Sequence, residues 1–174
     1  MDIAPLDILC IEDTVSDFLL IERTLRLAGL LGRCERVESS EALTAALAER
    51  RWDLVLSDYA VPGMYFTDTL RRFLHHYPDL PLILVSGTIG EVKAMVMVEV
   101  GAWDFVPKSS LRRLVPAIKR AMQRVPAQGV RKAQTSGAAF IPAAERRFVD
   151  RIGDAVELAA TGSVKPDSSR RTGT

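Results

Sequence analysis

Cysteine is scarce in this chain: two residues in 174, Cys10 and Cys34. A small secreted domain stapled by disulfides needs more than that. Both lie in apolar, strand-like runs, so they are expected to be buried, reduced thiols. Histidine is equally rare, and His75 and His76 stand side by side with no close cysteine pair. That excludes the usual zinc spacings. No apolar run reaches the ~18–20 residues of a membrane span. The first residues, Met1-Asp2-Ile3-Ala4-Pro5, carry acid where a secretory signal carries base. Together these absences predict a soluble, cytoplasmic protein with no membrane partner. Net charge is also nearly absent, at +1, which excludes a strongly basic nucleic-acid binder. With 48% hydrophobic and 26% charged residues, the chain is not wholly disordered.

The small net charge hides two unlike parts. Residues 1–125 hold 15 Lys+Arg against 17 Asp+Glu, leaving −2. Residues 126–174 hold 8 against 5, leaving +3. In the first part, short strand-like runs alternate with helical stripes. Ile8–Ile11, Leu54–Leu56 and Leu82–Val85 are apolar throughout, Cys34–Val37 reads as a short, weaker strand and Asp104–Val106 as a short fifth. Near-continuous apolar runs are the pattern of strands buried on both faces. Between them, Phe18, Ile21, Leu25 and Ala28 recur at helical spacing and stop at Gly29. Ser40 is placed to cap a second helix with Leu43 and Leu47, and Thr67 a third with Leu70, Phe73 and Leu74. A fourth helix is predicted from about Glu91 to Val100, closed by Gly101. A fifth runs to about Arg124, with Pro116 in its first turn. Five strand–helix repeats predict an α/β fold: a doubly wound, five-stranded parallel sheet with five helices.

In such open sheets, ligands bind beyond the carboxyl ends of the strands. Glu12 and Asp13 follow the first strand, Asp58 the third, Ser86-Gly87-Thr88 the fourth and Lys108 the fifth. The fold would gather three carboxylates, a hydroxyl and an ammonium on one edge. Three crowded carboxylates repel one another, and Mg²⁺ suits them because it accepts a few carboxylates while keeping several waters. A metal with a lysine opposite makes a phosphoryl site. Asp58, ending the most central strand, is the candidate nucleophile, and a carboxylate nucleophile yields an acyl phosphate.

These residues resemble the receiver domain of two-component response regulators, over roughly residues 6–125. The carriers are Ile11-Glu12-Asp13, Leu56-Ser57-Asp58-Tyr59, Pro62-Gly63, Leu84-Val85-Ser86-Gly87-Thr88-Ile89-Gly90-Glu91, Gly101-Ala102-Trp103-Asp104-Phe105 and Lys108. The resemblance implies a flavodoxin-like receiver fold and a bacterial phosphorelay role. Asp58 resembles the phosphoacceptor. Glu12 and Asp13 resemble the acidic pair that organises Mg²⁺, with Asp58 and the backbone carbonyl of Ala60 as further ligands. Ser86 and Lys108 resemble the groups that contact the phosphoryl oxygens, and Ser86 with Phe105 the switch pair. The Ser-Gly-Thr-Ile-Gly-Glu segment is similar to stand-alone and sensor-kinase-associated receivers. The implied donor is a histidine kinase or histidine phosphotransfer protein, and the receiver is not a conventional enzyme.

Two departures stand out. Lys108 is followed by Ser109 where many receivers have proline, and Met64-Tyr65-Phe66 replaces the usual acidic or small pair after Gly63. Those aromatics either narrow access to the site or pack in the core. A phosphorylation-independent adaptor is the alternative reading. A haloacid-dehalogenase-like phosphatase also uses an aspartate after a strand, but it wants a second acid where this chain has Ala60.

Taking Met95 and Val98 as core-facing puts Val92 and Val96 toward solvent, one turn apart, as a face for a homodimer or a downstream protein target. Scattered exposed aliphatics are the plainer reading. Beyond the receiver (1–125), residues 126–140 read as a linker, 141–161 as a stretch patterned for one amphipathic helix, and 162–174 as a disordered tail. One helix cannot supply a DNA-binding output fold. Lys165, Arg170 and Arg171 read as a solvating tail rather than a nucleic-acid arm.

Overall fold

The computed structural model describes residues 3–125. The linker, the amphipathic stretch and the tail expected at 126–140, 141–161 and 162–174 lie outside them. The five runs become β1 (Leu6–Ile11), β2 (Leu31–Val37), β3 (Leu54–Ser57), β6 (Leu82–Ser86) and β7 (Asp104–Pro107). Their order in the sheet is β2-β1-β3-β6-β7, every pair parallel. The helices are α1 (Val15–Leu27), α2 (Ser40–Glu49), α3 (Phe66–His76), α4 (Glu91–Val100) and α5 (Leu114–Arg124). The predicted five-stranded parallel sheet with five helices is therefore the observed fold. Every residue of β3 and β6 is buried, as the unbroken apolar runs require. The edge strand β2 instead carries Arg33, Glu35 and Arg36, charges that blunt an exposed edge.

Strand alternation divides the core in two. Ile8, Cys10, Leu54, Leu56, Ile83, Val85 and Val106 point to one face. There they cluster with Ile21 and Leu25 of α1 and Leu114, Ala117, Ile118 and Ala121 of α5. The alternate positions Leu9, Ile11, Val55 and Leu84 are equally buried on the other face. Cys10 is buried, Cys34 partly so, and neither is bridged. Burial raises both thiols, Cys34 to about 12, so both stay protonated and unreactive.

Several details differ from the sequence expectation. β2 begins at Leu31, three residues early, because Leu6 and Asp7 of β1 continue the pairing that far. The α2 cap is Ser39, whose hydroxyl accepts from the Ala42 amide at 3.2 Å; Ser40 is already helical. α3 is capped at Tyr65, two positions ahead of Thr67, and starts at Phe66, whose buried side chain belongs to the helix. Two short strands, β4 (Ala60–Val61) and β5 (Met64–Tyr65), form an antiparallel hairpin around Pro62-Gly63. Proline presets the first turn position and Gly63, at φ +74°, takes the left-handed second. A 3₁₀ turn, Lys108–Arg113, leads into α5, where Pro116 sits in the first turn as expected.

The phase of α4 requires a correction. Ala94, Met97 and Val100 are its buried residues; Met95 is 63% exposed rather than core-facing. The helix is apolar nearly all round, so hydrophobic contrast does not mark its inner face. Val92 is 81% exposed as expected, Val96 and Val98 are half-buried, and Met95 joins the outward face.

Gly101 ends α4 at φ +139°, and a Cβ there would stand 2.7 Å from Leu74 Cδ2. Gly101→Ala is expected to lower the unfolding free energy by about 1–3 kcal/mol in urea titration. Wild-type stability would show that the α4–β7 turn adopts another conformation.

Candidate functional site

The carboxyl ends of β1, β3, β6 and β7 meet on one edge of the sheet. Pairing continues one residue past the strands: the Glu12 amide donates to the Val37 carbonyl at 3.0 Å and the Asp58 amide to the Ile11 carbonyl at 2.9 Å. These bonds carry the two acids out of the sheet in register. One carboxylate oxygen from each of Glu12, Asp13 and Asp58 lies within 4.8 Å of the others. Glu12 is 1% exposed, Asp58 is at the edge of burial, and Asp13 is half-buried. Ser86 closes β6 and is buried; its hydroxyl lies 3.4 Å from both the Thr88 hydroxyl and the Thr88 amide.

Lys108 opens the 3₁₀ turn and reaches into this group. Its Nζ donates to Asp58 Oδ2 and to Asp17 Oδ2, each at 2.7 Å. Glu12 Oε2 is also 2.7 Å away, but at an angle that makes an ion pair without a hydrogen bond. Asp58 Oδ1 accepts from the Tyr59 amide at 2.6 Å and more weakly from the Ala60 amide at 3.4 Å. Burial pushes the Asp58 carboxyl up, but hydrogen bonds from Lys108 and Ser86 and the lysine charge outweigh it, so Asp58 stays below the usual aspartate range. For Glu12 burial prevails over Lys108 and the Thr14 amide, and its carboxyl is raised. Burial acts against the Lys108 charge too, yet the hydrogen bonds to Asp17 and Asp58 and the contact with Glu12 more than compensate and raise its pKa. Asp58 is thus an ionised carboxylate aimed at a permanent cation.

The residues fit a small, hard cation. Glu12 Oε2 is a buried oxygen without a hydrogen-bond donor, and the Lys108 ammonium 2.7 Å away is shared with Asp17 and Asp58, so a second cation would offset the charge that remains. The three-carboxylate spacing accommodates octahedral ligands held at about 2.0–2.1 Å.

The structure brings together Glu12, Asp13, Asp58 and Lys108, with Ser86 beside them. Ala60 is two residues beyond Asp58 in β4, paired with Tyr65. Phe105 is half-buried in β7, in register with Leu84. It stands apart from the carboxylate group, as do Val92 and Val96 on α4. The two aromatics after Met64 divide: Phe66 is in the core, its ring 5.9 Å from that of Tyr59, while Tyr65 is 77% exposed.

Two site residues escaped the sequence reading. Asp17, in the first turn of α1, binds Lys108 across 91 positions. Arg36 of β2 donates through Nη1 to the carbonyls of Glu12 at 2.9 Å and Asp13 at 3.1 Å, and to Glu38 Oε2 at 2.6 Å. It ties the acidic pair's backbone to the neighbouring strand. The only sequence signal for Asp17 is its spacing of four from Asp13.

Residues 8–119 match the response regulator receiver domain. The chain belongs to the response regulator receiver family. Receiver domains are phosphoacceptors rather than conventional enzymes, and take their phosphoryl group from histidine kinases. The receiver is 31% identical over 113 residues to the DNA-binding transcriptional regulator NtrC of Salmonella typhimurium, covering 64% of this chain and 24% of that protein. It is 36% identical over 108 residues to the C4-dicarboxylate transport transcriptional regulatory protein DctD of Rhizobium meliloti, covering 60% and 22%. The chain therefore spans about a quarter of the length of these curated relatives. Among solved structures, the receiver domain of NtrX from Brucella abortus aligns with a TM-score of 0.61 and 26% identity, over 68% of this chain and 99% of that one.

Arg36→Met removes both carbonyl contacts while keeping the side chain's bulk. It is expected to lower the unfolding free energy by about 1–2 kcal/mol in urea titration. Unchanged stability would show that water replaces the guanidinium at no cost.

Proposed function

We propose that this receiver takes a phosphoryl group onto Asp58 from a histidine kinase or histidine phosphotransfer protein and signals through protein contacts, in the cytoplasm. The observation that carries this reading is the 2.7 Å contact between Lys108 Nζ and Asp58 Oδ2 beside the clustered carboxylates. An Asp58 oxygen attacks phosphorus, the P–N bond to the donor imidazole breaks, and its electron pair leaves with the ring nitrogen. The product is an acyl phosphate, which water later cleaves to inorganic phosphate and the free carboxylate. Glu12, Asp13, Asp58 and the Ala60 carbonyl would hold Mg²⁺, with its waters completing the shell. When bound, the metal neutralises charge on the phosphoryl oxygens and on the crowded acids.

Lys108 gives up Asp58 Oδ2 as that carboxyl group is phosphorylated and turns its N–H to a phosphoryl oxygen. Ser86 donates its hydroxyl to another, drawing the loop after β6 inward, and Phe105 follows into the space released. Because Phe105 has no hydroxyl, the resulting signal is steric. A full shift from 1:99 to 99:1 takes about 5.5 kcal/mol, within reach of a few charge-assisted hydrogen bonds at about 1.5–3 kcal/mol each. Among the described residues, no helix is long and apolar enough to cross a membrane.

Incubation with Mg²⁺ and acetyl phosphate is expected to add one phosphoryl mass by intact mass spectrometry, and none to Asp58→Asn or in excess chelator. A full gain in Asp58→Asn would refute this assignment, and no gain in wild type would leave the adaptor reading. Mg²⁺ at a hundredfold over its Kd should stabilise the fold by about 2.7 kcal/mol, an effect that Asp13→Asn abolishes.

The outward face of α4 serves as the partner surface in this reading, with Val92 and Val96 joined by Met95. Val92→Glu together with Val96→Glu is expected to reduce self-association in the presence of beryllofluoride, measured by sedimentation velocity. Identical sedimentation of wild type and variant, with and without beryllofluoride, would remove the homodimer from consideration.

A further inference from the structure

We propose that Asp17 is a positioning residue, anchoring the Lys108 ammonium from α1 so that it meets the phosphoryl group on Asp58. The inference rests on the reading of Asp58 as the phosphoacceptor and adds a residue to its machinery.

An aspartate in the first turn of a helix ordinarily serves the helix itself. At the third helical position its carboxylate reaches back to the amide of the capping residue, or complements the helix dipole. Here that duty is taken. Thr14 is the capping residue of α1, and its amide donates to Glu12 Oε1 at 3.1 Å. Asp17 Oδ2 instead accepts from Lys108 Nζ at 2.7 Å. The bond joins α1 to the turn after β7.

The three carboxylates around Lys108 are not equivalent. Glu12 and Asp58 belong to the group within 4.8 Å of one another that would face a cation; Asp17 does not. Glu12 and Asp58 are buried, whereas the Asp17 side chain is 34% exposed. During phosphoryl transfer the Asp58 oxygen held by Lys108 changes from a carboxylate oxygen to the bridging oxygen of the acyl phosphate, and its hold on the ammonium weakens. Glu12 belongs to the group that would hold the cation. Asp17 is the partner whose charge and place do not change. Lysine carries a long stem with much rotamer freedom and three N–H donors. One donor kept on Asp17 confines the stem to a single arrangement and leaves two to follow the reacting oxygens. Without Asp17 the ammonium loses its outer tether. It then settles on the two buried carboxylates or swings to solvent, and each phosphoryl transfer has to recover it.

The test is a double-mutant cycle on the full chain with Mg²⁺ and acetyl phosphate, read as the rate of mass gain. Circular dichroism confirms folding of each variant. Asp17→Ala is expected to slow the gain about three- to fivefold, as suits a partly exposed ion pair. Asp17→Asn keeps an acceptor oxygen and should recover most of that rate. In a Lys108→Ala background, Asp17→Ala should leave the rate unchanged. In ¹⁵N-lysine-labelled protein, the Lys108 ammonium proton signal should be visible in wild type and lost in Asp17→Ala. A variant that keeps pace with wild type overturns the anchor, as does equal slowing with and without Lys108, or an ammonium signal that persists in Asp17→Ala. A wild type that gains no phosphoryl mass overturns the phosphoacceptor reading itself and the anchor with it. A wild type that gains mass beside an equally fast Asp17→Ala overturns the anchor alone.

Discussion

The organising constraint in this molecule is the repulsion among Glu12, Asp13 and Asp58, brought together by the ends of two adjacent parallel strands. The Lys108 ammonium is the fold's own answer to it, with carboxylate oxygens from Glu12, Asp17 and Asp58 each 2.7 Å from one nitrogen. One cation does not balance four acids, so the edge remains electron-rich and suited to a further hard cation. Everything around the cluster serves to hold it open. The sheet pairing continues past β1 and β3, and Arg36 clamps the acidic pair from β2. Asp17 reaches Lys108 from α1.

That arrangement also separates two kinds of acid. Asp58 keeps a low pKa because burial is outweighed by donated hydrogen bonds; Glu12 is raised because burial wins. The first is suited to attack as an anion. The second is a buried charge that shares the Lys108 ammonium with two other carboxylates, and a further cation would relieve it. The distinction comes from the number of donors on each carboxylate and not from residue type.

The strands were legible because a strand covered on both faces must be apolar throughout, which leaves unbroken runs such as Leu82–Val85. The order of acids, hydroxyl and lysine after those runs was legible for the same reason. The β4–β5 hairpin was not, since two residues per strand carry no period. The phase of α4 was misread at Met95, because an all-round apolar helix offers no contrast between its faces. The capping shifts, of one residue to Ser39 and two to Tyr65, are within what a local signal resolves.

By itself, then, the sequence determined the architecture, the strand ends and the chemical types gathered there, because periodicity and spacing are local properties that the backbone must obey. Tertiary structure decided which groups touch. Asp17 finds Lys108 across 91 positions and Arg36 finds the Glu12 carbonyl across 24. Only the packing of α1 and β2 beside the first strand sets such distances. Whether a first-turn aspartate caps its own helix or holds a lysine depends on what else reaches the Thr14 amide, and that is a question of three-dimensional neighbours.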